Sequence, residues 1–461
     1  MTHARPTDQY LSVRQAAFIG VGAMVGAGIF ALLGAAGEVA GAAVWLSFLI
    51  AGAVAGLQGY SFAKFGARYP SAAGLFEYLR RGFGEGHLTG VTAWLTYVTN
   101  AIITAMVAVS FGSYAGALFA HGDPIWSKIF AALILLIMTG VNTVGSQLVA
   151  KAQTVIVYVV LGILVLFAIV TLTTIQPALL APSGYPPLRD IVASVALTFF
   201  AFLGFGIITF TAKDLREPSR QLPRAMTLAL AIATIIYVAI ALGVFGTLPV
   251  QDVIASGGTA LAVAAQPTLG NAGYLLMSIT ALFATAGATN AGLYPAIGLC
   301  DQLAANGTFP PVLGRRIGGR VSVGLLVAAA LSLILAIGFA LNAIAAIGSA
   351  VALLVFGMCT VAHFRVRAET GARLSLLILA VTTAGIALIA FLLDLIINDP
   401  ISVAAMLVIV ILAVILDFAW KHVRGPRAPA TDPAHDIAAS VDETGGEPSP
   451  TEHGGPAPSA P

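Results

Sequence analysis

Two glycine-rich runs hold the residues of this chain best suited to chemistry, and the chemistry is that of the main chain. Gly20, Gly22, Gly26 and Gly28 crowd one apolar stretch, although glycine costs about 1 kcal/mol against alanine inside a helix. A second stretch places Phe199, Phe200, Phe202, Leu203, Gly204, Phe205 and Gly206 together. Both contain Gly-x-Gly-Ile, starting at Gly26 and at Gly204. A helix opened at such a run leaves N–H and C=O groups that cost several kcal/mol if buried without partners. The N–H groups that start a half-helix suit a carboxylate, and the carbonyls that end the preceding half suit an ammonium or a cation. A zwitterionic amino acid satisfies both. A small-xxx-small packing seam through Gly22 and Gly26 is the competing explanation. Recurrence of the element at Gly204 weighs towards a binding site.

The elements that would position these runs are membrane spans. Of 461 residues, 59% are hydrophobic and 9% charged, where soluble domains carry roughly a quarter charged. Apolar stretches of about 20 residues recur, and runs such as 161–172 and 404–416 are apolar on all sides, which excludes a barrel of alternating strands. The fold class is therefore an all-α polytopic membrane protein. About twelve spans are predicted, near 14–37, 41–62, 89–119, 128–145, 153–173, 191–212, 225–248, 272–300, 321–341, 343–363, 374–394 and 401–420. Arg5 and Arg14 precede an apolar run that continues past Leu33 with no small-residue cleavage site, so it reads as the first span and not as a leader. After Lys421 the composition turns to Pro, Ala, Gly, Asp and Glu, which predicts a disordered tail.

Orientation follows from lysine and arginine. With the N-terminus inside, only Lys128 and Arg189 of the 22 lie outside, so a multi-pass protein of the cell membrane with both termini cytoplasmic is expected. Five spans separate the two interruptions, and consecutive units with an odd number of crossings must be inverted, as in many secondary transporters. The expected organisation is a cytoplasmic N-terminus over 1–13, a first five-helix repeat over 14–190, an inverted second over 191–363, two further helices over 374–420 and a cytoplasmic tail over 421–461.

Beside these runs stand Gly66-Ala67-Arg68-Tyr69-Pro70-Ser71-Ala72-Ala73-Gly74 and Glu217-Pro218-Ser219-Arg220-Gln221-Leu222-Pro223-Arg224-Ala225. With Gly26-Ala27-Gly28-Ile29-Phe30, they make the chain resemble the amino acid-polyamine-organocation superfamily over all spans but not the tail. The resemblance implies a five-plus-five inverted-repeat, LeuT-like core with discontinuous spans 1 and 6, two peripheral helices, and alternating access of a bundle of spans 1, 2, 6 and 7. It implies that backbone at Gly26, Ala27 and Gly28 holds a substrate carboxylate, while carbonyls of Met24, Phe200 and Leu203 receive the amine. Phe200 occupies the position of an aromatic gate. Gly206 departs from relatives that carry an acid there, and span 5 around Val159 and Val160 has no lysine, against the proton-coupled pattern.

Spans 1, 3, 6, 8 and 10 carry no Asp, Glu, Lys or Arg at hydrocarbon depth, so a neutral or apolar substrate is predicted, with Phe199, Phe200, Phe202 and Phe205 as its apolar subsite. Asn100 and Thr104, following Thr96 at helical spacing, together with Thr285, Thr289 and Asn290, are candidates for the path or an ion site; back-bonding and interhelical hydrogen bonds explain them equally well. Arg68, Tyr69 and Pro70 sit in a loop with Lys64, Glu77, Arg80, Arg81 and Glu85, which the resemblance makes a gate element and the positive-inside rule makes a topology signal. His87, His121 and His363 fall near span ends, and sequence assigns them no proton-relay role. Cys300 and Cys359 imply neither a disulfide nor a zinc site. The sequence predicts no cofactor, no metal and, at a net charge of +2, no nucleic-acid surface. It offers no nucleophile with a base and no phosphate-binding loop, against an enzyme or a primary pump. The partners expected are an amino acid, the bilayer, and either a coupling ion (H+ or Na+) or a counter-substrate. Exporter, exchanger, channel and transport-inactive sensor stay open beside the permease.

Overall fold

The computed structural model describes residues 10–71, 74–144 and 147–424. Most of the predicted tail, the first nine residues, and Ala72 and Ala73 of the loop motif lie outside the described residues. The fold is all-α, with one short hairpin pairing Arg316–Ile317 to Val321–Ser322. Among the described residues, 10 stretches are long and apolar enough to cross a membrane, and two shorter apolar helices, Val13–Gly26 and Val323–Gly338, accompany them. Contacts gather the described chain up to Phe418 into one compact unit.

The first apolar stretch folds as two helices. α1 (Val13–Ala27) starts at a reciprocal cap in which Gln15 N–H donates to Ser12 Oγ at 3.2 Å and Ser12 N–H to Gln15 Oε1 at 2.8 Å. α2 (Ile29–Ala40) follows after Gly28 alone. Gly41, at φ 54°, turns the chain into α3 (Val44–Arg68). A short amphipathic helix, α4 (Leu75–Phe83), then leads into α5 (His87–Phe119), which is followed by α6 (Pro124–Val144) and α7 (Gln147–Thr173).

The second interrupted stretch is α8 (Leu188–Phe200) and α9 (Phe205–Phe210). α10 (Pro218–Thr247) begins on a proline, a favoured first helical residue, and α11 (Val250–Ser256) is short. α12 (Ala260–Ala305) bends at Gly270, whose φ of 63° separates a lead-in from the apolar part. α13 (Val323–Gly338), α14 (Leu341–Arg365), the single turn α15 (Arg367–Thr370), α16 (Leu374–Asn398) and α17 (Pro400–Arg424) complete the chain.

Burial ranks these helices. In the most apolar 18 residues of each, 83% are buried in Leu188–Phe210 and 78% in α14, against 17% in both α6 and α17, so the second interruption lies at the centre and the apolar outer helices face the surroundings. α3 packs most extensively on α10, and α5 on α12 and α6, with α13 and α14 also lying against α5. Near the start of the chain, Leu11 N–H donates to the Asp214 carbonyl at 2.8 Å, tying the approach to α1 to the loop after α9.

Candidate functional site

The two interruptions meet. A Cβ built on Gly28 would stand 2.6 Å from Ala201 Cα, and one built on Gly204 would stand 2.6 Å from the Ala23 carbonyl carbon, with Met24 N nearer still. Each glycine therefore lets its own backbone touch the backbone of the other interrupted stretch, a distance no side chain permits. Gly26 faces a different neighbour, α12, where its Cβ would meet the Ala284 carbonyl oxygen and Ala288 Cβ, each at 2.5 Å.

The breaks are narrower than a fully unwound turn. Gly28 N–H still donates to the Met24 carbonyl at 2.9 Å, while φ −105° and ψ −72° at Gly28 tilt the peptide that follows. In the second break the bonding tightens to i→i−3: Leu203 N–H donates to Phe200 O at 3.1 Å, Phe205 N–H to Phe202 O at 2.9 Å and Gly206 N–H to Leu203 O at 3.1 Å. The carbonyls of Met24, Phe200 and Leu203 thus each accept one chain hydrogen bond and keep a second lone pair.

The four phenylalanines do not gather on one subsite. All are fully buried, but Phe199 and Phe205 lie against Phe356 of α14, with ring centroids 6.2 and 5.3 Å apart, and Phe62 of α3 completes this cluster at 5.0 Å from Phe356. Phe200 instead packs on α14 and α5, beside Gly348 and Ile102. Phe202 points to Tyr237 of α10, 5.1 Å between centroids. Helical turning between 199 and 205 separates them, which a list of phenylalanines conceals. Gly206 differs from the other break glycines, since a Cβ there would meet only Phe356 Cζ, at 3.5 Å.

The polar candidates are largely satisfied by their own helices. The hydroxyls of Thr104, Thr285 and Thr289 donate to the carbonyls of Asn100, Ala281 and Thr285 at 2.7, 2.6 and 2.8 Å. Asn100 Nδ2 donates to the Thr96 carbonyl at 3.1 Å. Asn290 reaches across helices, its Oδ1 accepting from Asn142 Nδ2 of α6 at 2.8 Å. A small apolar cleft runs beside these residues between α1, α7 and α12, with Gly22, Gly26, Val157, Val160, Ala284 and Ala288 in its walls. It touches the first interruption but not the second.

Beyond the end of α3 the loop charges are mutually engaged. Glu77 accepts two bonds from Arg80, each 3.0 Å, and one from Arg81 at 2.8 Å. Burial pushes the Glu77 carboxyl up, but the two guanidinium groups outweigh it and hold the group below its usual range; Glu77 in turn raises Arg80. The Arg81 guanidinium stands 4.9 Å over the Tyr69 ring, whose hydroxyl donates to Glu369 of α15. Burial and that carboxylate raise the Tyr69 phenol. Arg80 and Arg81 thus have a structural task here.

Sequence reasoning passed over a polar seam between α3 and α14. Gln58 accepts from the Thr360 hydroxyl and donates through Nε2 to the Ala380 carbonyl of α16 at 3.1 Å. Ser61 Oγ and His363 Nδ1 lie 2.8 Å apart. The sequence signal was available in part: Gln58 and Ser61, and Thr360 and His363, are two polar pairs at i, i+3 on apolar helices. A buried carboxylate, Asp417 of α17, also went unremarked; it meets His87 Nδ1 at 2.7 Å.

An amino acid permease family profile matches residues 11–416, essentially the whole helical part. The inner membrane transport protein YbaT of Escherichia coli is 31% identical over 375 residues, covering 81% of this chain and 87% of that protein. The methylthioribose transporter of Bacillus subtilis is 28% identical over 52% of this chain and 55% of its own length. The vacuolar cationic amino acid transporter 2 of Arabidopsis thaliana is 31% identical over 54% and 42%. With interrupted helices at its centre and a family match along nearly all its described length, the chain is a multi-pass membrane protein that belongs to the amino acid permease family of the amino acid-polyamine-organocation superfamily.

Proposed function

We propose that this permease is a secondary active transporter that moves neutral or apolar amino acids across the cell membrane by alternating access. Its chain crosses twelve times with both termini cytoplasmic, as two inverted five-helix repeats and two peripheral helices. The carboxylate of the substrate binds the backbone at Gly26, Ala27 and Gly28, displacing hydrogen bonds these N–H groups make along α1, such as that from Gly28 to the Met24 carbonyl, and its ammonium binds the spare lone pairs of the Met24, Phe200 and Leu203 carbonyls. The observation that carries this reading is the meeting of the two interruptions, Gly28 on Ala201 and Gly204 on Ala23 and Met24. That meeting brings main-chain dipoles from two helices to one place, and a zwitterion is the ligand that engages both signs.

The side chain of the substrate points to Phe199, Phe205 and Phe356, beside Gly206, where a Cβ would make only an ordinary contact with Phe356. No acid stands at Gly206 to pair with a cationic side chain, which favours leucine- or methionine-like substrates over arginine. Uptake and counterflow in proteoliposomes test this, with competition by Leu, Met, Ala, Arg, Glu and methylthioribose, at two pH values and with or without sodium. Competition by the apolar amino acids is expected. Failure of the protein to bind any of the twenty amino acids overturns the reading, and binding without flux makes it a sensor.

A further inference from the structure

We propose that His363 is a proton-binding site that fastens α3 to α14 while neutral and loosens them once charged, so that opening of this end of the carrier depends on pH. The proposal rests on the carrier reading above. His363 lies in the last turn of α14 and is fully buried. Hydroxyls from two other elements engage both ring nitrogens, Ser61 Oγ of α3 at 2.8 Å from Nδ1 and Thr370 Oγ1 of α15 at 2.7 Å from Nε2. Thr370 Oγ1 also lies 3.1 Å from the Arg367 carbonyl, to which its own proton goes. It therefore accepts from Nε2–H, and Nδ1 is left to accept from Ser61, an arrangement assigned from the hydrogen-bond network that belongs to the neutral tautomer.

A proton taken from water onto Nδ1 converts that nitrogen into a donor. The Ser61 hydroxyl must then turn its proton away and accept from Nδ1–H, so the bond across the seam reverses direction, and what the seam gains is a charge within a buried contact. The charge formed needs either a counter-ion or water. The charge that acts on the ring from α3 is Lys64, of like sign. From α15 come Arg367 and Glu369, the latter already accepting from Tyr69. From α4, Tyr78 stacks on Phe65, whose ring centroid lies 4.2 Å from that of His363, and Glu77 is held by Arg80 and Arg81. On α14 itself Arg365 donates to the Gly82 carbonyl at 3.3 Å, and Cys359 is a buried thiol. At the head of α16, the Arg373 N–H donates to Tyr60 of α3 at 2.8 Å. The two acids in this set are engaged elsewhere, so hydration is the route by which the imidazolium is accommodated, and hydration parts the helices.

The same pair of helices carries a control. Three residues earlier on each, Gln58 and Thr360 bridge α3 and α14 with groups that do not titrate. Loosening this rung alters the strength of the seam without altering its response to protons.

Exchange of radiolabelled leucine, or of whichever panel amino acid exchanges fastest, is measured in proteoliposomes between about pH 4 and 8, which covers the ordinary imidazole range and the acid side of it. Wild-type exchange is expected to rise on acidification, by at most about tenfold per pH unit, the limit for one proton. His363→Gln is expected to be flat, and Thr360→Val to change the rate at every pH while keeping the slope. A wild-type slope retained by His363→Gln, or a flat wild type, overturns the proposal. Ser61→Ala keeps the imidazole and removes its Nδ1 partner, so its profile should be displaced along the pH axis even if the histidine variant does not fold; an unmoved profile also overturns the proposal. A second readout needs no transport: maleimide labelling of Cys359 in a Cys300→Ser background, taken as the ratio of wild type to His363→Gln at each pH to cancel thiol ionisation. The ratio should rise several-fold on acidification, and a constant ratio overturns the proposal. If wild type exchanges no amino acid at any pH the carrier reading fails, and the labelling ratio still decides the seam.

Discussion

Gly204 lies on the backbone of Met24 and Ala23, and Gly28 lies reciprocally on Ala201, so the two interrupted stretches touch main chain to main chain. Gly28→Ala and Gly204→Ala would each force a methyl group into peptide atoms that cannot swing aside. Each is expected to lower stability by about 1–3 kcal/mol, as overpacking does, and to abolish amino acid uptake. Gly206→Ala meets only an ordinary contact with Phe356 and should keep the wild-type melting temperature. Thermal unfolding of the three purified variants in one detergent checks the contrast; equal melting temperatures for all three would contradict the backbone contact.

Gly206 also sets the substrate test. Gly206→Asp places a carboxylate beside Phe356 and the second break, where the wild type has no side chain. Apolar amino acid uptake is expected to fall at least about tenfold, the scale of one charge or unpaired polar group in an apolar pocket. Competition by arginine should strengthen relative to leucine. Uptake with an unchanged Leu-to-Arg preference would remove Gly206 from the substrate site.

Glu77 predicts a pH dependence of stability. Its carboxyl is held below the ordinary value of 4.5 by Arg80 and Arg81 in the folded protein, so the folded state binds fewer protons than the unfolded near that pH. The contribution is therefore full above about pH 4.5 and is lost as pH falls through the depressed folded value. Glu77→Gln should cost about 1 kcal/mol at neutral pH, a modest figure because both guanidinium groups are partly exposed. Melting curves of wild type and variant should converge as pH drops below 4; a gap that stays constant with pH would show that charge is not the source.

Asn142 and Asn290 separate packing from path. If their 2.8 Å bond is a helix–helix fastener, Asn142→Leu should cost about 1 kcal/mol, typical of membrane interhelical hydrogen bonds, and leave substrate preference untouched. A variant with wild-type stability and altered preference would place Asn290 on the translocation path instead.

Sequence by itself determined the class of the molecule and the location of its two breaks. Apolar length decides what crosses a bilayer, and the cost of glycine in a helix marks where the helix yields, near Gly28 and before Phe205; both properties are local and additive along the chain. The tertiary structure alone decided which groups meet. It turned Phe199 and Phe205 to Phe356, Phe200 to Gly348 and Phe202 to Tyr237, because partners are chosen by helices far apart in sequence. It set His363, Gln58, Ser61 and Thr360 into one seam, joining residues some three hundred positions apart, for which no periodicity within either helix could supply the register. Local energetics is written in each segment, whereas complementarity between segments exists only once they are packed.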